Sequence, residues 1–333
     1  MNRKFIALGH GSGGQMTNDL IENFFLKYLK NDYISNLEDS SIIKFGSSKI
    51  AFTTDSYVVD PIFFPGGDIG RLCISGTVND IAVSGAKPIA ISLGLIIEEG
   101  FDFSSLEKIM SSIKKTAIEA KVNVVTGDTK VVEKGKVDKI FINTSGIGFF
   151  DKKINFSYKN VKIGDVIIIN GEVASHGISV LNERNNLGFK GDIKSDVAPL
   201  NSLIDLIRDI DGVRCIKDLT RGGLITALNE ISRSCGFGAE IEESKVPVNS
   251  SVLSASQALG IDPLYVANEG KIVIIACEKS ADRIITKLKK HEYGRKSAII
   301  GRFIKEKNVK VKTIIGSTRV APMLSGEQLP RIC

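Results

Sequence analysis

The apolar residues of this chain change repeatedly between strand-like and helix-like periods, and this mixture restricts the fold more than any other feature. A polar stretch at 151–165 interrupts the pattern, and strands and helices are predicted on both sides of it. Neither half has the regular order of a Rossmann sheet, and no GxGxxG motif follows a strand. The pattern predicts a mixed α/β protein with domains at 1–155 and 156–320. The last residues, 321–333, are expected to form a flexible tail because chain ends fray easily.

Local patterns predict individual elements. The clearest helix lies at 104–121, where Ser104 and Glu107 resemble a capping box. The segments "FTTDS" and "TGDTK" each predict two strands with a break at the aspartate, Asp55 or Asp128.

Composition and charge narrow the class of function. The 333-residue chain carries a net charge of +6, and its lysines are scattered rather than grouped. This distribution favours a solvated surface over a nucleic-acid-binding face. No apolar run approaches the roughly 18 residues of a membrane span, and the first residues lack a signal-peptide pattern. We therefore expect a cytoplasmic protein without nucleic-acid or membrane partners.

The cysteines direct attention to the end of the chain. Their number, five, is odd and no CxxC motif occurs, which argues against a disulfide framework and a zinc site. Cys73 and Cys277 lie in apolar segments typical of a core. Cys333 is the last residue and follows "PRI", where a thiol is exposed and oxidisable. This position makes Cys333 a candidate reactive group.

Four aspartates are predicted to lie beside breaks in apolar elements: Asp55, Asp80, Asp128 and Asp218. Carboxylates at strand ends and helix starts can converge on one cleft. Several acidic oxygens with few histidines suit Mg²⁺, which commonly bridges to nucleotide phosphates. Capping of a helix or a turn is the alternative for each residue, and the sequence leaves both interpretations open.

Other candidate residues lie in or near glycine-rich and charged segments. "HGSGG" and "TRGGL" could offer backbone N–H groups to phosphate, although plain turns are the alternative and no Walker motif is present. Lys130 follows Asp128 closely and is either a phosphate contact or a surface lysine. Glu269 precedes an apolar strand and is either a general base or a solvated turn residue.

Seven segments together resemble a known family. They occur in the order "HGSGG", "FTTDSYVVDPIFFPGGDIGRLCISGTVNDIAVSGAKP", "TGDTKVV", "INTSGIG", "DLTRGGL", "ANEGK" and "GEQLPRIC". The chain resembles the HypE family of nickel–iron hydrogenase maturation proteins, within the superfamily of aminoimidazole ribonucleotide synthetase and selenophosphate synthetase. The resemblance extends from about Gly9 to Cys333.

The resemblance implies a fold, a reaction and partners. It implies a homodimer with two α/β domains per chain, the aminoimidazole ribonucleotide synthetase-like fold, and Mg²⁺-ATP in a cleft. The carbamoyltransferase HypF would load a carbamoyl group on the terminal cysteine sulfur. ATP-dependent dehydration would convert this thiocarboxamide to a thiocyanate, and the cyano group would pass to iron on a HypC–HypD complex.

The matching motifs also imply roles for residues. Cys333 would carry the group, with Lys130 and Glu269 beside it as further catalytic residues. The metal ligands would be Asp55, Asp80, Asp128 and Asp218, and these would bind the nucleotide together with Gly13, Gly14, Asn79 and Gly222. Two other functions stay open. One is a superfamily kinase or ligase acting on a free small molecule, which leaves the terminal cysteine without a role. The other is a non-catalytic thiol carrier or scaffold.

Overall fold

The computed structural model describes residues 6–11, 14–33, 37–46, 48–151 and 154–324. Gly13 and Cys333 lie outside these described residues. The described chain is mixed α/β, as predicted, and is built around two large sheets.

The N-terminal sheet has the order β1-β2-β7-β5-β6, with β5 and β6 parallel and the other pairs antiparallel. Its strands are β1 (Ser41–Phe45), β2 (Ser48–Tyr57), β5 (Lys87–Glu98), β6 (Asn123–Val132) and β7 (Ile140–Phe149), and a separate hairpin is formed by β3 (Phe63–Phe64) and β4 (Gly67–Asp68).

The C-terminal sheet has the order β14-β13-β10-β12-β8-β11-β9. Its strands are β8 (Val166–Ile169), β9 (Val213–Asp218), β10 (Gly238–Glu242), β11 (Ile272–Ala276), β12 (Ala298–Ile304), β13 (Val309–Lys312) and β14 (Thr318–Val320).

The helices cover the sheets and connect them. They are α1 (Gln15–Leu20), a π-helical turn (Ile21–Phe25), α2 (Leu26–Leu29), α3 (Ile69–Val83), α4 (Phe103–Ala120), α5 (Ser175–Arg184), α6 (Asn201–Asp205), α7 (Gly223–Cys235), α8 (Ser250–Leu259) and α9 (Ala281–Leu288). None of these described helices is long and apolar enough to cross a membrane.

Helix α3 is buried on nearly every side and belongs to two cores. Its first turns pack with Ile109 of α4 and Ile91 of β5, whereas Val83 at its end packs with Ile216 of β9. A helix that is apolar all round is expected in such a central position. Polar residues on α3 are therefore held between the two sheets.

The other face of the N-terminal sheet, the open face, is not covered within one chain. Phe52, Ile96, Ile147 and Phe149 are exposed there. Strand β6 lies at the edge of the sheet, and nearly all its residues are exposed.

Four local predictions were wrong. Asp80 lies inside helix α3 and not beside a break. Asp55 and Asp128 lie inside continuous strands, β2 and β6, so neither strand breaks at its aspartate. Helix α4 is capped by Asp102 and not by Ser104, because the Asp102 carboxylate accepts a hydrogen bond from the Ser105 amide at 2.8 Å.

Candidate functional site

The structure brings three of the four predicted aspartates into one electrostatically coupled group. Asp55 lies on β2, Asp80 on α3 and Asp218 at the end of β9. A fourth residue, Asp39, precedes β1 and completes what we call the carboxylate cluster. The cluster lies where α3 passes between the two sheets.

Burial and mutual repulsion dominate the electrostatics of the cluster. Burial raises the pKa of Asp80 well above its usual value, and the neighbouring charges of Asp218, Asp39 and Asp55 raise it further. Burial and Asp39 raise the pKa of Asp218 to about 7, against an opposing effect of Lys217. The site therefore disfavours several ionised carboxylates at once, and a bound cation would stabilise their ionised forms.

Thr53 joins two members of the cluster. Its hydroxyl oxygen lies 2.9 Å from Asp80 Oδ2 and 3.1 Å from the backbone oxygen of Asp39. Strand β2 points Thr53 and Asp55 to the same side, toward α3, because alternate residues of a strand share a face.

Lys217 is a buried cation behind the cluster that the sequence analysis did not identify. Its ammonium group contacts Asp39 Oδ1 and lies 3.2 Å from Glu230 Oε2. Burial favours the neutral amine, but Asp39, the Tyr158 hydroxyl and Glu230 outweigh it and raise the pKa of Lys217 well above its usual value. Its place beside Asp218 was visible in the sequence; its long-range partners were not.

The donor set fits a hard divalent cation by its chemistry. The cluster offers carboxylate oxygens, the ligands that Mg²⁺ prefers. In the part of the chain that the structure describes, no three His, Cys, Asp or Glu residues are already grouped to hold a metal ion.

Asp128 and Lys130 lie away from the cluster. The register places Asp128 beside Gly94, Gly94 beside Asn143 and Asn143 beside Ser56, so these residues form one row across the sheet. Ser56 is on the open face and Asp55 on the opposite one, so Asp128 also belongs to the open face. Lys130 lies 3.5 Å from Asp128, and both side chains are largely exposed.

The two glycine-rich segments meet the cluster through Arg221. The Arg221 guanidinium lies 3.9 Å from Asp55 Oδ1 and donates to the backbone oxygen of Gly11 at 3.2 Å. Gly222 follows in a left-handed conformation, φ 71°, and caps the start of α7. A Cβ atom on Gly222 would lie 2.1 Å from Thr226 Oγ1, so a larger residue would overlap this helix start.

Glu269 and Asn79 lie together between the sheets. Glu269 is only 4% exposed, so it is not a solvated turn residue. The Asn79 amide donates to the backbone oxygen of Ala198 at 3.0 Å and, weakly, to that of Glu269 at 3.5 Å, and its oxygen accepts from the Leu200 amide at 2.7 Å. The Asn79 side chain therefore binds backbone next to Asp80.

The chain leading to the tail is held beside the first glycine-rich segment. The Gln15 amide donates to the Leu324 backbone oxygen at 2.8 Å. A Cβ atom on Gly14 would lie 2.5 Å from that same oxygen. Tyr265 donates its hydroxyl to the Pro322 oxygen at 2.9 Å. The last described residues thus run alongside Gly14.

Comparison with known proteins identifies the class of this fold and site. The N-terminal domain of AIR synthase related proteins matches residues 37–150, and the C-terminal domain of the same proteins matches residues 162–314. The first match contains Asp39, Asp55 and Asp80, and the second contains Asp218 and Glu269.

The full length of the chain is similar to more specific proteins. It is 42% identical over 331 residues to the carbamoyl dehydratase HypE of Azotobacter vinelandii, covering 98% of this chain and 97% of that one. It matches the crystal structure of a HypE–HypF complex with a TM-score of 0.88 and 46% identity, over 92% of this chain and 99% of that chain. A crystal structure of HypE in complex with ATP matches with a TM-score of 0.83 and 41% identity, over 99% of this chain and 100% of that chain. The chain belongs to the HypE family of hydrogenase maturation proteins, whose curated members include carbamoyl dehydratases.

Proposed function

We propose that this protein dehydrates a carbamoyl group carried on the sulfur of Cys333, using ATP, and so makes a thiocyanate for hydrogenase maturation. The observation that carries the proposal is the position of Leu324, at the start of the tail. Leu324 is hydrogen-bonded next to Gly14, in the first glycine-rich segment. Arg221 contacts the same segment and lies near Asp55. Membership of the carbamoyl dehydratase family supports the same reaction.

The length of the tail suits this role. Cys333 is nine residues beyond Leu324. An extended chain of that length spans up to about 30 Å, which would let the sulfur move between a cleft near Gly14 and a partner protein. Tethering gives the carbamoyl group a high effective concentration, on the order of mM, at a site close to the start of the tail.

The proposed chemistry makes the carbamoyl oxygen a leaving group. In S–C(=O)–NH₂ this oxygen attacks the γ-phosphorus of ATP, the bond to ADP breaks, and the O-phosphorylated group forms. The two protons on nitrogen are then lost as phosphate departs, giving S–C≡N, ADP and phosphate. The overall reaction is the sum of two changes: the thiocarboxamide loses one water, and one ATP is hydrolysed to ADP and phosphate.

Mg²⁺ would supply charge neutralisation on the phosphates. Asp55, Asp80 and Asp218 are the residues of this chain that would hold it, with Asp128 from a neighbouring chain. Glu269 would accept a proton from the carbamoyl nitrogen, because it is buried, its backbone oxygen contacts Asn79, the residue before Asp80, and its carboxylate is a base when ionised. Gly14, Gly222 and the neighbouring Gly13 would direct backbone N–H groups to phosphate.

A homodimer would complete this site. The open face of the N-terminal sheet carries exposed apolar residues, which pairing of two such faces would bury. Asp128 and Lys130 lie on that face, turned away from the cluster of their own chain. Pairing would place both residues in the interface, and we propose that they contribute to the other chain's site from there, with Lys130 balancing phosphate charge.

The partners follow from the reaction. HypF would load Cys333, because a HypE structure of this family forms a complex with HypF. The cyano group would then pass to iron held by a HypC–HypD complex. Both steps require the tail to leave the cleft.

Mass spectrometry of the intact protein tests the proposal. Carbamoylated protein should become lighter by one water when Mg²⁺-ATP is added, and Cys333→Ala should bind ATP without any such change. Unchanged mass with a phosphorylated free metabolite would indicate a small-molecule kinase. Unchanged mass without ATP hydrolysis would indicate a thiol carrier.

A further inference from the structure

The backbone of Glu269 is fastened to a connecting segment, residues 195–200, that no proposed step uses. The Glu269 amide donates to Asp196 Oδ1 at 3.2 Å, and its carbonyl oxygen accepts from the Ala198 amide at 3.4 Å. A Cβ atom on Gly270 would lie 1.8 Å from the backbone oxygen of Asp196, so the backbone at Gly270 directly contacts the backbone of the connecting segment. Both backbone groups of Glu269 are thus bound by one segment.

The same segment is fastened to the N-terminal half of the molecule. The Ser195 amide donates to the Pro65 oxygen at 2.7 Å, and Arg71 Nε donates to the Val197 oxygen at 2.9 Å. Asn79, next to Asp80 on α3, binds the backbone of residues 198 and 200. The connecting segment therefore joins helix α3, which carries Asp80, to Glu269, the proposed base.

Asp196 is held in place by a buried cation. Lys271 Nζ lies 2.9 Å from Asp196 Oδ2 and donates to the Gly270 oxygen at 3.0 Å. Both side chains are largely buried. An ion pair in such a place is not needed for solubility, and well-packed apolar residues would often stabilise the fold as much.

We propose that Asp196 is a positioning residue, which fixes Glu269 relative to the carboxylate cluster through its hydrogen bond to the Glu269 amide. The proposal rests on the proposed function, in which Glu269 removes a proton from the carbamoyl nitrogen. A displacement of about 1 Å at a reacting group can lower a rate about a hundredfold. The bond from Asp196 therefore controls the rate of dehydration while leaving ATP binding to other groups.

Two double variants of the full-length protein separate this role from the ion pair. Asp196→Asn with Lys271→Met removes both charges but keeps an oxygen to accept from the Glu269 amide. Asp196→Leu with Lys271→Met has nearly the same shape and lacks the acceptor. If the leucine variant does not fold, Asp196→Ala with Lys271→Met replaces it.

Dehydration of carbamoylated protein is measured in a single turnover at saturating Mg²⁺-ATP, together with the Kd for ATP. We expect the asparagine pair to stay within about threefold of the native rate, and the leucine pair to fall at least tenfold with an unchanged Kd. An equal fall in both pairs would assign the effect to the lost charges and overturn the proposal, as would native rates in both.

Hydrogen exchange of the peptide covering residues 266–271 tests whether Asp196 holds the backbone of Glu269 in place. This test does not require the native protein to perform dehydration. Exchange should accelerate in the leucine pair and not in the asparagine pair. Equal exchange in the two would refute the positioning role. An inactive native protein with the expected exchange difference would instead refute only the proposed function.

Discussion

Arg221 links Asp55 to the first glycine-rich segment, since its guanidinium lies 3.9 Å from the Asp55 carboxylate and also binds the Gly11 carbonyl oxygen. Asp55 is a member of the carboxylate cluster, and Gly11 leads to Gly14, where the base of the tail is bound. Asp55, the first glycine-rich segment and Leu324, the last described residue before the end of the tail, are therefore neighbours in the fold although they are far apart in sequence.

The buried carboxylates should make the metal-free protein less stable at higher pH. The pKa of Asp218 is raised from 3.8 to about 7 in the folded state. Between those values the folded state binds more protons than the unfolded state, so the free energy of unfolding falls as pH rises from about 4 to 7. Asp218→Asn should remove at least about 1.4 kcal/mol of this fall, the equivalent of one pKa unit.

Urea unfolding at pH 5 and pH 8 in the absence of metal measures the difference. Asp192→Asn, which changes a largely exposed carboxylate, is the matched control and should unfold like the native chain. Parallel pH dependence in Asp218→Asn and the native protein would show that Asp218 is ionised throughout.

Gly222 should be intolerant of any side chain. Alanine there adopts an unfavourable positive φ and also overlaps Thr226. Gly260, φ +67°, is a control in which the added Cβ meets nothing within 4 Å. We expect Gly260→Ala to cost about 1 kcal/mol of unfolding free energy and Gly222→Ala about 1–3 kcal/mol more. Thermal unfolding and ATP titration measure both variants, and equal losses would show that the start of α7 can adapt.

The mixed α/β class was predictable because it depends on local periodicity, whereas the errors concern where single elements break or begin and the omissions concern long-range contacts. Apolar spacing predicted α4 since the residues of its buried face repeat at helical intervals. The breaks at Asp55 and Asp128 were wrong because a strand tolerates a polar residue when that residue faces a cleft or lies on an exposed edge.

Those residues of the candidate site that have a distinctive local sequence context could be predicted. Asp55, Asp80 and Asp218 were found from their local context. Asp39 and Lys217 were not, because their pairing joins residues far apart in the chain. Asp128 has the same local sequence context as the other three aspartates. It is separate from them within one chain because it lies on the open face of the sheet. The predicted domain boundary near 155 stays a prediction.

Gly14 should control the base of the tail. Gly14→Ala places a Cβ atom 2.5 Å from the Leu324 oxygen, whereas Gly11→Ala places one 3.7 Å from its nearest neighbour, an ordinary contact. We expect Gly14→Ala to slow single-turnover dehydration roughly tenfold, because displacement of Leu324 would also displace Cys333. Gly11→Ala should keep the native rate. If both variants dehydrate equally fast, the contact at Leu324 does not guide the tail.

The open face should mediate self-association. Ile147→Asp introduces a charge in the middle of this face, whereas Ile315→Asp changes an even more exposed isoleucine elsewhere. Burying an unpaired carboxylate in an interface is strongly unfavourable. Sedimentation should therefore show a monomer for Ile147→Asp and the native mass for Ile315→Asp. A dimer that survives Ile147→Asp would place the interface on another surface.

A mixture of two inactive variants should recover activity if Asp128 acts on the neighbouring chain. Asp80→Asn damages the cluster of its own chain, and Asp128→Asn damages the site to which that chain contributes. In a mixed dimer one site then receives both mutations and the other receives neither. Random pairing makes half the dimers mixed, so an equal mixture should show about one quarter of the native dehydration rate. The variants are unfolded and refolded together before the assay, since chains must exchange. If Asp128 instead acts within its own chain, every site in the mixture contains one mutation, and the mixture stays as inactive as its components.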